Sequence, residues 1–130
     1  MEQPNGNGKG ILVVEDEPGI ARVCVRTLSS EGFEVQVAPD GRAGLDILNR
    51  REFAFILIDI RTPEMNGIEL YRHLEHSHPE MTGRVVFTTG DVLSDDVKAF
   101  LDEAENPYLA KPFTPDELKA AVRQILNGGG

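Results

Sequence analysis

Short apolar runs recurring between helical stretches constrain this chain more than any other feature. Ile11-Leu12-Val13-Val14 is too short for a helix and rich in β-branched residues, so it predicts a strand buried on both faces. Phe33-Glu34-Val35-Gln36-Val37 alternates in polarity, as an edge strand does. Phe55-Ile56-Leu57-Ile58 is the most apolar run, and Val85-Val86-Phe87 and Pro107-Tyr108-Leu109-Ala110 supply two more.

Between them the period changes. Ile20, Cys24, Val25 and Leu28 predict a helix over about 18–30, closed by Gly32. Asp40 caps a second helix to about Arg50, with Ala43, Leu45, Ile47 and Leu48 as its apolar surface. A third runs from about Gly67 to His76, with Ile68, Tyr71 and Leu74 facing inward. Ser94 opens a fourth, ending near Glu103, with Asp95 and Asp96 in its first turn. Thr114-Pro115-Asp116-Glu117 has the capping-box pattern and starts a fifth, to about Leu126. Five strands alternating with five helices predict an α/β fold, a doubly wound parallel sheet covered on both faces. Ligands of such sheets bind beyond the carboxyl ends of the strands.

Composition narrows the class. The 130 residues fit one domain, with residues 1–9 read as a Gly/Asn-rich leader, 10–127 as the domain and 128–130 as a glycine tail. Net charge is −9, from 22 acidic against 13 basic residues. That balance speaks against nucleic acid, which is bound by releasing counterions to Lys and Arg, and against an anionic membrane surface. No apolar run approaches the ~20 residues of a membrane helix. Cys24 is the single cysteine and sits on an apolar helical face, where it reads as a small buried hydrophobe. With no disulfide available, the expected location is the cytoplasm.

The chemistry collects at the strand ends. Glu15-Asp16-Glu17 follows the first run, Asp59 the third, Thr88-Thr89-Gly90 the fourth and Lys111-Pro112 the fifth. A phosphate-cradling loop after the first strand would be glycine-rich. This one is acidic and suits a hard cation, although acids also commonly charge the start of a helix. Asp59 tips the balance, because a carboxylate at the rim of a buried strand is costly unless a cation or donors offset it. A carboxylate can attack phosphorus to form an aspartyl phosphate, provided its charge is screened.

Glu15-Asp16, Asp59, Thr89-Gly90 and Lys111-Pro112, in this order and at these positions, resemble the receiver domain of bacterial two-component response regulators. The likeness runs from about Lys9 to Leu126. It implies a flavodoxin-like sheet of order 2-1-3-4-5, with Asp59 as phosphoacceptor, Lys111 as phosphate-pairing cation, and Thr89 and Tyr108 as the switch pair. It implies Mg²⁺ or Mn²⁺ held by Asp16, Asp59, Glu15 through water and the backbone carbonyl of Arg61. It also implies a cis peptide at Lys111-Pro112 and a loop matched by Pro63 and Gly67. The implied partner is a histidine kinase or phosphotransfer domain, and a homodimer through the fourth helix, fifth strand and fifth helix is a further expectation. The segment 89–94 with Ala99-Phe100-Leu101 is similar to receivers of hybrid sensor kinases.

This chain departs from the family pattern in three places. Glu15 stands where Asp is commonest, and Arg61 and Asp91 flank the site at positions expected to tune how long the phosphoryl group persists. Two other function classes are an interaction module without phosphorylation and a phosphohydrolase working through an aspartyl intermediate. The second expects an acid two residues past the nucleophile, where this chain has Arg61. His73, His76 and His78 could suggest a metal site, but His73 and His76 read as the exposed face of the third helix, and no fourth zinc ligand is evident.

Overall fold

The computed structural model describes residues 10–90 and 94–128. The expected leader, Asp91 and the last two residues of the expected tail lie outside them. Five parallel strands form one sheet in the order β2-β1-β3-β4-β5. They are β1 (Gly10–Val14), β2 (Glu34–Ala38), β3 (Phe55–Asp59), β4 (Val85–Thr89) and β5 (Tyr108–Ala110). The helices are α1 (Pro18–Ser30), α2 (Gly41–Leu48), α3 (Gly67–Ser77), α4 (Asp95–Ala104) and α5 (Pro115–Gly128). A 3₁₀ helix at Pro79–Arg84, which carries no apolar period, leads into β4.

The local chemistry accounts for these boundaries. Asp40 Oδ1 accepts from the Ala43 amide and caps α2. Asn66 and Glu69 form a reciprocal capping box at the start of α3, and Thr114 with Glu117 does the same for α5. Gly32 adopts φ +95° after α1, the left-handed conformation that a C-terminal glycine supplies without steric cost.

Strand alternation builds two cores. Leu12, Val14, Ile56, Ile58, Val85 and Phe87 face α2, α3 and α4. Ile11, Val13, Phe55, Leu57 and Val86 face α1 and α5, whose Cys24, Leu28, Leu118 and Val122 complete that layer. Cys24 is buried, and burial raises its thiol pKa to about 12, an inert side chain as the sequence suggested. Tyr71, Phe87 and Phe100 pack edge to face with centroids 5.1–5.5 Å apart, fastening α3 and α4 to β4. Asn106 adds a polar staple, accepting from the Tyr71 hydroxyl and donating to the carbonyls of Thr82 and Val85. His73 and His76 are exposed on α3.

Candidate functional site

β3 and β4 run further than their apolar stretches. Asp59 pairs in register with Thr88 and is itself the last residue of β3. Its carboxylate is therefore aimed by sheet geometry, and its side chain is only 4% exposed. The Arg61 amide donates to Asp59 Oδ1 at 3.2 Å, and Lys111 Nζ donates to Oδ2 at 3.0 Å.

Lys111 reaches this point because β5 ends one residue earlier and its own amide donates to the Thr89 carbonyl. The Lys111–Pro112 peptide is cis. The ammonium, 13% exposed, also lies 3.0 Å from Glu15 Oε1 and 3.1 Å from Glu17 Oε1. Three carboxylates thus converge on one cation. Burial raises the Glu15 pKa to about 7; the Asp59 charge adds to the rise, and the Lys111 hydrogen bond opposes it. Burial disfavours the Lys111 ammonium, yet the hydrogen bonds to Asp59 and Glu15 outweigh it and hold its pKa above the ordinary lysine value.

Oxygens of Glu15, Glu17 and Asp59 lie within 4.8 Å of one another. Fully ionised, the set exceeds the Lys111 charge by two, and hard oxygen donors with that surplus fit a divalent cation such as Mg²⁺. Glu17 belongs to the acidic run that suits a cation in the sequence, but the family resemblance gives it no ligand role. In extended backbone, residues two apart share a side. Glu17 has φ −91° and ψ 113°, and its amide donates to Glu15 Oε2. Asp16, between them, is exposed and stands outside this carboxylate set.

Thr89, the last residue of β4, is fully buried, while Tyr108 at the start of β5 is 50% exposed. Arg61 is exposed beyond Asp59. The loop from Ile60 to Gly67 is tightly held. Thr62 is buried and donates to the Met65 carbonyl at 2.9 Å, and the Gly67 amide donates to the Ile60 carbonyl. A Cβ on Gly67 would fall 2.7 Å from Ile60 Cα and 2.8 Å from the Asp59 carbonyl oxygen. Only glycine lets α3 start this close to the end of β3.

The profile of the response regulator receiver domain matches residues 11–123, nearly all of the folded chain. The chain belongs to that family. Among curated relatives of this receiver domain, the uncharacterized transcriptional regulatory protein YkoG of Bacillus subtilis is 36% identical over 92% of this chain and 52% of its own length. The response regulator MprA of Mycolicibacterium vanbaalenii is 34% identical over 89% of this chain and 49% of its own. The chain therefore spans about half the length of these relatives.

The CheY-like receiver domain of Methanospirillum hungatei superposes with TM-score 0.84 at 30% identity, covering 92% of this chain and 94% of that one. The receiver domain of sensor histidine kinase PA1611 from Pseudomonas aeruginosa, solved with a magnesium ion coordinated in its active-site cleft, gives 0.83 at 29% identity. It covers 92% of this chain and 98% of its own.

Proposed function

We propose that this receiver domain accepts a phosphoryl group on Asp59 from a phosphohistidine of a histidine kinase or phosphotransfer domain. The observation that carries the reading is the buried Asp59 carboxylate, with an ammonium on one oxygen and an amide on the other, opposite Glu15 and Glu17. The carboxylate oxygen attacks phosphorus, the phosphorus–nitrogen bond breaks, and the imidazole leaves with that electron pair and takes its proton from solvent. Lys111 stays beside the new acyl phosphate as a fixed counter-charge. Attack by water at phosphorus then breaks the phosphorus–oxygen bond to Asp59, releasing inorganic phosphate and restoring the carboxylate.

Mg²⁺ or Mn²⁺ would be held by Asp59, Glu15 and the Arg61 carbonyl. Asp16 is the ligand that the family resemblance assigns, and Glu17 the carboxylate that the geometry adds. When bound, the ion neutralises charge that develops on the phosphoryl oxygens. The domain catalyses only its own phosphorylation and dephosphorylation, with Arg61 and Asp91 setting the lifetime of the product.

The added charge biases a two-state element. The buried Thr89 hydroxyl turns toward the phosphoryl group, and Tyr108, now half exposed, moves inward. The altered α4–β5–α5 face then meets a second copy or an output partner. The setting is the cytoplasm, with neither nucleic acid nor membrane as a direct partner of this domain. Arg61, in place of an acid two residues past Asp59, speaks against a phosphohydrolase.

Intact-mass measurement tests the reading. A small-molecule phosphodonor with Mg²⁺ adds one phosphoryl group, and Asp59→Asn or a chelator blocks the addition. No gain in mass with either a small donor or a cognate kinase overturns it.

A further inference from the structure

Nothing in the proposed chemistry gives work to α2, yet its first residue makes the tightest approach among the described glycines. A Cβ on Gly41 would lie 1.9 Å from the Met65 carbonyl oxygen, 2.8 Å from its carbon and 3.0 Å from Met65 Cβ. Separations below 3.0 Å to backbone atoms cannot be relieved by turning a side chain, so any other residue at 41 must displace the loop or the helix. Asp40 caps α2 from the preceding position, so the helix start is itself held in place.

The carbonyl that Gly41 touches is the acceptor of the buried Thr62 hydroxyl, at 2.9 Å. Backbone tightens the same segment. The Met65 amide donates to the Pro63 carbonyl at 2.7 Å, and Glu64 adopts φ 67°, a left-handed conformation that costs a non-glycine residue energy unless its surroundings impose it. Gly67 closes the loop on Ile60, and the Ile60 amide donates to the Thr88 carbonyl of β4. Thr62 adjoins Arg61, whose amide holds Asp59 Oδ1. A continuous chain of contacts therefore runs from the start of α2, through the Met65 carbonyl and Thr62, to one oxygen of the phosphoacceptor.

We propose that Gly41 and Thr62 are positioning residues for Asp59: together they fix the Met65 carbonyl, and so the Arg61 backbone that orients the carboxylate. The inference rests on the functional reading above for its effect on metal and phosphoryl group, but the geometry it asserts can be measured without either. Loss of the Thr62 hydroxyl leaves the buried Met65 carbonyl without its donor and lets residues 61–65 drift. The Arg61 amide then leaves Oδ1, while Lys111, anchored on β5, stays on Oδ2. Partners one shell out from a metal typically change its affinity about 10- to 100-fold when removed.

The test compares Thr62→Val, Thr62→Ser and Gly41→Ala in the whole chain. Amide hydrogen exchange at Arg61 is followed by NMR in ion-free protein, Mg²⁺ is titrated directly, and phosphorylation is timed at a saturating small phosphodonor. Thr62→Val speeds Arg61 exchange relative to amides inside β1 and β3 and weakens Mg²⁺ binding about 10-fold. Thr62→Ser, which keeps the hydroxyl, restores both. Gly41→Ala shifts both in the same direction as Thr62→Val.

Wild-type Arg61 exchange and Mg²⁺ affinity in Thr62→Val overturn the proposal, as does a Ser variant no better than Val. Should Gly41→Ala fail to fold, the Val/Ser pair still decides. Should the wild-type protein neither bind Mg²⁺ nor take a phosphoryl group, the functional reading falls, and Arg61 exchange alone rules on the clamp.

Discussion

Replacing Glu15 by glutamine isolates the cost of keeping a carboxylate in the floor of the cleft. Its side chain is 3% exposed, shares Lys111 with Asp59 and Glu17, and has a folded-state pKa raised from 4.5 to about 7. In the unfolded chain it titrates near its ordinary value. Between pH 4.5 and 7 the folded state therefore holds a proton that the unfolded state has released, and stability falls as pH rises through this window. Each pKa unit corresponds to about 1.4 kcal/mol, so the whole rise is worth about 3 kcal/mol.

Glutamine keeps an oxygen for Lys111 and removes the titration. Urea unfolding in the presence of a chelator, from pH 5 to pH 8, then gives a wild-type curve that declines and a Glu15→Gln curve that is flatter. Because part of the window lies below pH 5, the gap between them grows by about 2.5 kcal/mol in favour of the variant, or about 10 °C in melting temperature for a domain of this size. Parallel curves across the window would refute the reasoning, because they would mean that Glu15 is ionised at no cost in the folded state.

Other outcomes follow from the same geometry. Mg²⁺ stabilises the protein more at pH 8 than at pH 5, since protons compete for Glu15; at 100 times its dissociation constant it adds about 2.7 kcal/mol, read as the shift in the urea midpoint at each pH. Glu105 ends α4 at φ 63°, so Glu105→Gly gains about 1 kcal/mol in the same assay. Phe100→Ala empties one corner of the aromatic cluster and costs about 3–5 kcal/mol, measurable by thermal denaturation. Asn106→Ala removes the donor of two part-buried hydrogen bonds, to the Thr82 and Val85 carbonyls, and costs about 1–3 kcal/mol, with fastest amide exchange expected along the 3₁₀ helix and the start of β5.

The architecture was legible because its signal is periodic. Apolar runs with β-branched residues read as strands at those lengths, and α1, α2, α3 and α5 each carry a cap or a glycine stop, as Asp40 and Gly32 illustrate. The strand ends were harder to read. Asp59, Thr88 and Thr89 are polar, so the apolar pattern stops before the backbone pairing does, yet all three lie within strands. The 3₁₀ helix has no repeat to find. At the site, residue types and order announced Asp59, Glu15 and Lys111. Which of three consecutive acids converge on Lys111 depends on backbone dihedrals that composition does not encode, and the structure gathers the buried Glu15 and the exposed Glu17 while leaving Asp16 outside the set. The role of Thr62 was equally hidden, because a lone threonine before proline gives no sign that its hydroxyl is buried against Met65.

β3, the strand that ends in Asp59, occupies the middle of the sheet, and its successive side chains lock into opposite layers: Phe55 and Leu57 on one side, Ile56 and Ile58 on the other. In mechanical terms it is clamped like the central leaf of a laminate. A push on Asp59 meets resistance from both layers at once and cannot be absorbed where it is applied. At one rim lies β5, three residues long, flanked on one side only and carrying the half-exposed Tyr108. A sheet that is stiff at its centre and compliant at one margin delivers a disturbance to that margin, much as a plate held in the middle vibrates most at its free edge.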